Sequence, residues 1–272
     1  MRLAHRRLLA VASAGLVLGL AGVACGPISG SQAPELPVSG TLPPLLQPPT
    51  NTNLGGGRIP TTTDLMGCVP RTIIGTTQVP RIAARKAPDP KAPVIARFGQ
   101  TNPQGSPQTF DLLREARDRK GDVWVEALLP LRPNGTTGWL KESEVALTWT
   151  PFSVDVDKQT FTLTVFRECQ PAAQFPVGIG TGDTPTPVGR FYLASLIKPL
   201  ETNGPYGEYA YGLSAYSDVI TSWRWGGIVG LHGTDDPSSI GHDVSHGCIR
   251  MRNADISLLV RALPLGTPII IH

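Results

Sequence analysis

Glycine and proline are distributed unevenly along this chain, and that distribution limits what the chain can fold into. Among 272 residues there are 30 glycines and 27 prolines, about a fifth of the total and well above average usage. Residues 26–70 are especially rich in proline, glycine, serine and threonine. Such a segment buries too little apolar surface to offset its chain entropy. We therefore interpret residues 26–70 as a semi-extended linker, and the rest as room for one large or two small domains.

Residues 1–25 have the organisation of an export signal. An apolar run, Leu8–Val23, is short for a membrane span and follows three arginines, Arg2, Arg6 and Arg7. The next residues, Ala24 and Cys25, resemble the end of a bacterial lipobox, although Gly22 stands where leucine is most common. The resemblance implies that Cys25 is lipidated and anchors the protein at the outer face of the cell membrane, facing the wall. Ordinary cleavage near Ala24 and an uncleaved anchor are the alternatives, and all three export the protein.

Residues 71–148 are predicted to form a small β domain. Short apolar runs separated by turn residues are typical of short strands, and the runs here are Arg81–Ala84, Pro93–Phe98, Val123–Leu129 and Gly138–Lys141. Trp124 and Gly138-Trp139-Leu140 resemble the closing strands of a bacterial SH3-like barrel, but Thr101–Lys120 is a longer and more charged insertion than that family has. The two tryptophans would either line a peptidoglycan-binding groove or belong to the core of the barrel.

Residues 150–272 are predicted to form a second, mainly β domain. Phe152–Val156 and Thr160–Phe166 alternate in polarity, which predicts two antiparallel strands joined by a turn at residues 157–159. A further strand, Gly227–Leu231, would deliver His232. After Cys248, a short helix capped by Asn253 is predicted from apolar residues at helical spacing, Ile256, Leu259, Val260 and Leu263. The segment Pro268–Ile271 predicts a closing strand.

One stretch, Leu231–Arg252, concentrates the reactive side chains. Cys248 stands in Ser245-His246-Gly247-Cys248, behind a second His-Gly pair, His232-Gly233. A thiol is a good nucleophile only as the thiolate, and a nearby imidazole commonly generates it near neutral pH. Glycines beside both histidines allow backbone groups to approach a reacting centre, because no Cβ is in the way. A polar, glycine-containing loop would make a poor hydrophobic core, so we interpret Cys248 as a nucleophile and not as a buried structural thiol.

A zinc site is the alternative chemistry for the same stretch. Its candidate ligands would be His232, His242, His246 and Cys248, which are of the types that bind zinc. The separation of His232 from the later three matches no common zinc pattern. We therefore expect neither a metal ion nor an organic cofactor.

The same residues resemble the signature of the L,D-transpeptidase catalytic domain, called the YkuD domain. In that family a His-Gly pair and a loop precede Ser-His-Gly-Cys, which is followed by an apolar residue and Arg or Asn. This sequence follows the pattern throughout, and Thr184–Phe191 resembles a further family segment. The resemblance implies a YkuD-type β-sandwich for residues 150–272. The expected fold class is thus mainly β, with an SH3-like barrel, then the catalytic sandwich and a short helix after the cysteine.

The resemblance also implies the chemistry of an exported, cysteine-dependent acyltransferase of peptidoglycan biosynthesis that contributes to the cell wall and cell shape. Cys248 would attack the L-centre carbonyl of a diamino acid in a tetrapeptide stem, expel D-alanine and leave a thioester, which a second stem's amine converts into a 3→3 cross-link. His232 would be the general base and acid, oriented by the carbonyl of Gly233. The N–H groups of Gly247 and Cys248 would stabilise the oxyanion, and the site would be lined by His246 and Ser245.

Arg250 and three tyrosines are the candidates for binding the stem peptides. Arg250, two residues after the nucleophile, would attract substrate carboxylates. The stretch Lys198–Trp225 has no clear element of its own, which is typical of a lid or binding loop, and it contains Tyr206, Tyr209 and Tyr211. These rings would either line the cleft or cover the sheet.

The four cysteines leave one pair unassigned. If Cys25 is lipidated and Cys248 stays free, Cys68 and Cys169 remain, and thiols of exported proteins tend to pair. We predict a disulfide between Cys68 and Cys169 that joins the segment before the first domain to the catalytic sheet. Two isolated buried thiols are the alternative.

Two other functions are compatible with the sequence. If the thioester passes to water, the enzyme is an L,D-carboxypeptidase, because Cys248 and His232 serve both outcomes. A protein of another class, a wall-binding lipoprotein with reduced catalysis, would rely on the SH3-like module, and the intact Cys–His constellation argues against it. The formal charge of +3 and the lack of a lysine or arginine run predict no nucleic-acid partner.

Overall fold

The computed structural model describes residues 70–222 and 226–272. The first sheet has seven strands: β1 (Thr72–Thr77), β2 (Arg81–Arg85), β3 (Val94–Gly99), β4 (Thr109–Arg117), β5 (Val123–Leu128), β6 (Thr137–Lys141) and β7 (Val145–Thr150). Their order is β3-β2-β6-β5-β4-β1-β7, and all neighbours are antiparallel. The apolar runs lie on β2, β3, β5 and β6 as predicted, whereas β4 lies within the stretch interpreted as an insertion.

The first sheet packs around a hydrophobic core of its own, in which Ile82, Phe110 and Leu140 are fully buried. Trp124 and Trp139 are only 3% and 7% exposed. The interpretation that these two tryptophans line a binding groove is therefore wrong, because their rings are part of the packed interior. The resemblance to an SH3-like barrel stays a prediction.

The second sheet has eight strands: β8 (Phe152–Asp157), β9 (Thr162–Arg167), β10 (Gln170–Pro176), β12 (Gly189–Ile197), β13 (Ala210–Tyr216), β14 (Ile228–His232), β16 (Ile249–Arg250) and β17 (Pro268–Ile271). Their order is β10-β9-β8-β17-β12-β13-β14-β16. The predicted hairpin of β8 and β9 is confirmed, with Val154 opposite Val165, and the closing strand β17 lies between β8 and β12. A small parallel pair, β11 (Ile179–Gly180) and β15 (Asp243–Ser245), lies beside the site.

A single α-helix in the described residues, α1 (Asn253–Ala262), follows Cys248 as predicted. Its apolar residues Ile256 and Leu259 are fully buried in the core of the second sheet, because their helical spacing places them on one face. The described residues are mainly β with one short helix, which confirms the predicted mainly β class and the helix after the cysteine.

The two sheets belong to one compact unit and contact each other through polar groups, one pair of which is buried. Arg190 on β12 forms an ion pair of 2.8 Å with Asp111 on β4, and the two side chains are 9% and 0% exposed. A second contact comes from loop 130–134, between β5 and β6. Asn134 in this loop pairs with the backbone N–H and C=O of Tyr216 at 2.9 and 2.8 Å, in the manner of a neighbouring strand.

Several sequence predictions concern residues that the structure does not describe. Residues 1–69, with the predicted export signal, the linker, Cys25 and Cys68, lie outside the described ranges, as do Trp223 and Trp225. Cys169, between β9 and β10, is disulfide-bonded; its pairing with Cys68 stays a prediction. None of the helices in the described ranges has the length and apolar character that crossing a membrane requires.

Candidate active site

Strands β14 and β16 bring the two halves of the sequence signature together. The two strands are parallel, with Leu231 beside Ile249 and His232 beside Arg250. Cys248, the residue before β16, therefore lies next to Gly230 on β14. Successive residues of a strand point to opposite faces. Val229 and Leu231 are buried in the core, and the intervening residues, Gly230 and His232, therefore face the side on which Cys248 lies.

The backbone of Gly230 contacts the nucleophile, and this residue was not identified as part of the site from the sequence. Its N–H donates a hydrogen bond to Cys248 Sγ at 3.3 Å. A Cβ at this position would lie 3.6 Å from Sγ and 3.3 Å from His232 Cδ2. Gly230 thus leaves open the space that separates the thiol from the imidazole. The signal in the sequence for this role is a glycine two residues before His232, within an otherwise apolar strand.

His232 is buried, with only 3% of its surface exposed, and a hydrogen bond to the backbone of the next residue holds its ring. Nδ1 lies 2.5 Å from the carbonyl oxygen of Gly233, and because a carbonyl only accepts, Nδ1 carries the hydrogen and Nε2 keeps its lone pair. Burial lowers the pKa of His232 from 6.5 to about 4, and the positive charge of Arg250 lowers it further. The imidazole is consequently neutral near pH 7 and can accept a proton.

Cys248 is the free cysteine among the described residues, and it is half-buried. Burial raises the pKa of its thiol, while the Gly230 N–H and the charge of Arg250 oppose that shift. A raised thiol pKa beside a lowered imidazole pKa means that the resting pair is a neutral thiol and a neutral imidazole.

The turn before Cys248 is held by Ser245 and by Thr186. Ser245 Oγ donates to the carbonyl of Cys248 at 2.6 Å and accepts from the N–H of Gly247 at 3.0 Å. Thr186 Oγ1 donates to the Gly247 carbonyl at 3.0 Å. The Gly247 N–H is thus donated to Ser245 in this structure, and its role in stabilising an oxyanion stays a prediction; Gly247 also permits a φ of +109° at the turn.

A small, partly open pocket lies at the nucleophile. His246 lines it together with Cys248, as the sequence predicted, and its other side is formed by Ser217, Ile220 and Gly227. Arg250 is half-buried at the end of β16, its backbone paired with Gly178. Its side-chain Nε is buried with no hydrogen-bond partner among the described residues, so it has an unused donor close to the pair of reactive groups.

The three candidate tyrosines have different environments. Tyr206 is 51% exposed and its ring meets the His232 ring edge to face, with centroids 5.0 Å apart. Tyr209 is half-buried, with Lys198 Nζ 5.9 Å from its ring centroid. Tyr211 is 1% exposed within the core and donates to the Leu263 carbonyl at 2.8 Å. The prediction that Tyr211 binds substrate is therefore wrong, because β13 runs through the stretch interpreted as a loop.

Asn253 begins α1 but does not cap it. The residue at the N-cap is Arg252, and the Asn253 carboxamide instead accepts a hydrogen bond from the N–H of Thr234 at 3.1 Å. The spacing of polar and apolar residues predicted where the helix begins. The partner of the side chain depends on the tertiary packing of the loop after His232.

The residues proposed for the zinc alternative do not converge. Across residues 70–222 and 226–272, no group of three or more His, Cys, Asp or Glu side chains is arranged to hold a metal ion. His232 Nδ1 is engaged by the Gly233 carbonyl, and Cys248 Sγ by the Gly230 N–H. The geometry supports a thiol–imidazole pair.

Comparisons with known proteins identify one family. The model of the YkuD family, the L,D-transpeptidase catalytic domain, matches residues 151–271. YkuD of Bacillus subtilis is 34% identical over 122 residues, which are 45% of this chain and 66% of that protein. YqjB of the same organism is 31% identical over 127 residues, 43% of this chain and 69% of that protein.

The chain spans about two thirds of the length of the first curated relatives, 66% of the Bacillus subtilis YkuD and 63% of its Bacillus licheniformis counterpart. A solved L,D-transpeptidase from Mycobacterium smegmatis is 17% identical, with a TM-score of 0.37, over 55% of this chain and 90% of that one. The matched range 151–271 begins just before β8 and ends with β17, so it contains every residue of the site described above.

Proposed function

Because the chain belongs to the YkuD family of L,D-transpeptidases, we propose that it transfers an acyl group between peptidoglycan stem peptides through a thioester on Cys248 and forms 3→3 cross-links. The observation that carries this proposal is the arrangement at the nucleophile. Cys248 Sγ accepts from the Gly230 N–H, and His232 on the same strand presents a neutral imidazole whose Nδ1 is already engaged. These groups supply a nucleophile and a base without a carboxylate.

The first half-reaction uses both groups. The Sγ–H bond breaks as sulfur attacks the L-centre carbonyl carbon of the donor stem, and the proton passes to Nε2 of His232. The tetrahedral intermediate then collapses, the amide C–N bond breaks, and the same proton is given to the departing D-alanine amine. A thioester and free D-alanine result, and no electron is gained or lost.

The charge that develops on the carbonyl oxygen needs a donor. The Gly247 N–H is donated to Ser245 in this structure, and the backbone N–H of Cys248 is the donor on the nucleophile's own residue. One such donor is worth about 3 kcal/mol in the transition state. The Ser245 and Thr186 hydrogen bonds to this turn fix the direction of that N–H before substrate arrives.

The second half-reaction returns the enzyme to its starting state. The side-chain amine of an acceptor stem attacks the thioester, gives its proton to His232, and expels the Cys248 thiolate, which recovers that proton. Arg250 is half-buried, and its positive charge acts on both His232 and Cys248, where it lowers the pKa of each group; that charge would attract a stem carboxylate. The Tyr206 ring meets the His232 ring edge to face. If water replaces the amine, the product is a tripeptide.

The proposed place of action is the outer face of the cell membrane, with the protein anchored by a lipid on Cys25. The support for this is the sequence of residues 1–25, which resembles an export signal with a lipobox. Peptidoglycan stems are outside the membrane, so an exported catalytic domain on a linker is consistent with the substrate. Labelling of the protein with radioactive palmitate, compared between wild type and Cys25→Ala, tests the anchor.

The activity is tested by acylation and by product analysis. Carbapenems acylate members of this family through the same thiol, so the full chain incubated with a carbapenem should gain one equivalent in intact mass, and Cys248→Ala should gain none. Incubation with tetrapeptide stems should then give cross-linked dimers. Wild-type protein that is folded and takes up no carbapenem would contradict an activated Cys248, and tripeptide without dimer would identify a carboxypeptidase.

A further inference from the structure

The peptide unit between Gly233 and Thr234 is held at both of its ends. Its carbonyl oxygen, on Gly233, accepts the hydrogen of His232 Nδ1 at 2.5 Å. Its N–H, on Thr234, donates to Oδ1 of Asn253 at 3.1 Å. The imidazole and the carboxamide therefore contact opposite sides of one planar group.

Two glycines allow the Asn253 carboxamide to reach this peptide. A Cβ on Gly233 would lie 2.1 Å from Asn253 Oδ1, and a Cβ on Gly207 would lie 2.0 Å from the same atom. Either side-chain carbon would displace the oxygen. Gly207 also has a φ of +60°, a conformation that other residues rarely adopt. The backbone on both sides of Oδ1 is thus shaped around it.

The direction of this peptide determines which nitrogen of His232 carries the hydrogen. With the carbonyl facing the ring, Nδ1 must be the donor and Nε2 has the lone pair. If the peptide turned over, the Thr234 N–H would face Nδ1, the hydrogen would move to Nε2, and the ring could no longer accept the thiol proton there. A hydrogen bond at the N–H end opposes that rotation and polarises the carbonyl at the other end.

Asn253 is also placed to link the two halves of the site. It follows Cys248 by five positions and begins α1, while the N–H of Met251, between them, donates to the carbonyl of His232 at 2.8 Å. The segment that carries the nucleophile therefore also carries the group that holds the base's peptide. No carboxylate contacts the imidazole in the described hydrogen bonds of His232.

We propose that Asn253 is a positioning residue that fixes the Nδ1–H tautomer of His232 by holding the Gly233–Thr234 peptide. The inference deepens the proposed function, since it rests on His232 being the base. Asn253 acts through a peptide unit and does not touch the reacting atoms. It takes the place that a carboxylate or amide occupies when it contacts a catalytic imidazole directly.

The test reads the tautomer by NMR in the substrate-free protein. The full chain is labelled with ¹⁵N in its five histidines, and the His232 signals are identified by their loss in His232→Gln. Wild type should show a single Nδ1–H tautomer at pH 7. Asn253→Ala should show Nε2–H or a mixture, and carbapenem acylation should fall about tenfold to a hundredfold, by analogy with the loss of a group that orients a metal-binding histidine.

Three further variants separate positioning from folding. Asn253→Asp keeps an acceptor for the Thr234 N–H, so it should keep the Nδ1–H tautomer. Its negative charge should raise the pH midpoint of the acidic limb of acylation. Gly207→Ala should displace Oδ1 but also press on the Gly233 peptide itself, since its Cβ would lie 2.7 Å from Gly233 C and Cα, so it reports on the shape around the peptide and not on Asn253 alone. If Asn253→Ala fails to fold, Asn253→Asp still decides: an acidic limb at the wild-type midpoint would overturn the positioning role. Ser257→Ala, on the same helix with an exposed contact to Glu208, is the matched control and should resemble wild type.

The outcomes distinguish this inference from the proposed function. An unchanged Nδ1–H tautomer in folded Asn253→Ala would overturn the positioning role, whatever happens to the rate. If the tautomer changes in Asn253→Ala but no carbapenem acylates the wild-type protein, the positioning role is supported and the proposed function is contradicted.

Discussion

Arg132, in the loop between β5 and β6 of the first sheet, donates a hydrogen bond of 2.6 Å to the carbonyl oxygen of Ser217, which lines the cleft at Cys248. Its guanidinium also donates to the carbonyls of Ile220 and Gly226 at 3.1 and 2.7 Å, and it lies over the ring of Tyr216 with Cζ 4.7 Å from the centroid. One side of the cleft is therefore held by a residue outside the catalytic domain.

We expect Arg132→Gln to weaken substrate binding. The variant loses the planar guanidinium that donates to three carbonyls at once, so the cleft wall at Ser217 and Ile220 is held less firmly. We therefore expect KM for stem peptides to rise about tenfold, with a smaller change in kcat. Steady-state kinetics measures both. The control is Arg114→Gln, because Arg114 pairs with Glu126 within the first sheet; equal effects of the two variants would contradict a specific role for Arg132.

Gly230→Ala should impair acylation while the fold is retained. The added Cβ would be 3.3 Å from His232 Cδ2 and 3.6 Å from Cys248 Sγ. We expect this contact to increase the distance between the imidazole and the thiol by a few tenths of an ångström. Alanine is otherwise favoured over glycine in a strand by about 0.5–1 kcal/mol, so the melting temperature should not fall greatly. Stopped-flow acylation by a carbapenem should be slower by at least about tenfold.

The control for Gly230→Ala is a glycine with open space around it. A Cβ on Gly182 would meet no heavy atom within 4 Å, and Gly182→Ala should acylate at the wild-type rate. A wild-type rate in Gly230→Ala would show that the gap between thiol and imidazole tolerates a methyl group.

The neutral resting pair predicts two different pH profiles. Burial raises the pKa of the Cys248 thiol above its ordinary 9.0, so alkylation by iodoacetamide, which needs the thiolate, should be slow at pH 7 and increase throughout the alkaline range. Acylation uses the neutral pair, so its rate should be level from about pH 5 to 8 and decline toward pH 4 as His232 gains its proton. Mass spectrometry of the Cys248 peptide measures both. An alkylation plateau near pH 6 would indicate a preformed thiolate.

Burial of His232 should also make stability depend on pH. The folded pKa is about 4 and the ordinary value 6.5, so between those values the unfolded chain binds a proton that the folded chain does not. Stability from this group is complete above pH 6.5 and decreases as the pH falls to 4, by about 3 kcal/mol at about 1.4 kcal/mol per pKa unit. Urea unfolding at pH 7.5 and pH 4 should show this loss in wild type.

His232→Gln isolates that contribution from the other titrating groups. The variant has no imidazole at position 232, so its free energy of unfolding should decrease less than that of wild type between pH 7.5 and pH 4. The difference between the two decreases should be about 3 kcal/mol. Identical pH dependence in wild type and variant would mean that His232 titrates normally in the folded protein.

The sequence predicted the features that depend on local pattern and on the family signature. Alternating residues located β8 and β9, and the spacing of Ile256 and Leu259 located α1, because burial of one face imposes a period that can be counted. The two His-Gly pairs predicted that Cys248 and His232 lie together, which the parallel register of β14 and β16 explains.

What the sequence could not predict depends on contacts between distant segments. Tyr211 was placed among substrate-binding rings because its stretch is long and aromatic, but an aromatic residue in a buried strand has the same composition. The carboxamide of Asn253 resembles a helix cap until the loop after His232 is placed beside it. Nothing in the sequence around Arg132 indicates that it holds the cleft wall, since its three carbonyl partners lie more than eighty residues away along the chain.

The buried ion pair between Asp111 and Arg190 limits how the first sheet could be exchanged for another module. Loss of one member of such a pair costs about 3–5 kcal/mol, because a charge is left unpaired away from water. Recombination that replaced the first sheet by an unrelated module would leave Arg190 without its carboxylate. A chimera cut at residue 150 is therefore expected to be less stable, unless the incoming module places an acidic residue at the position of Asp111 or Arg190 is replaced as well.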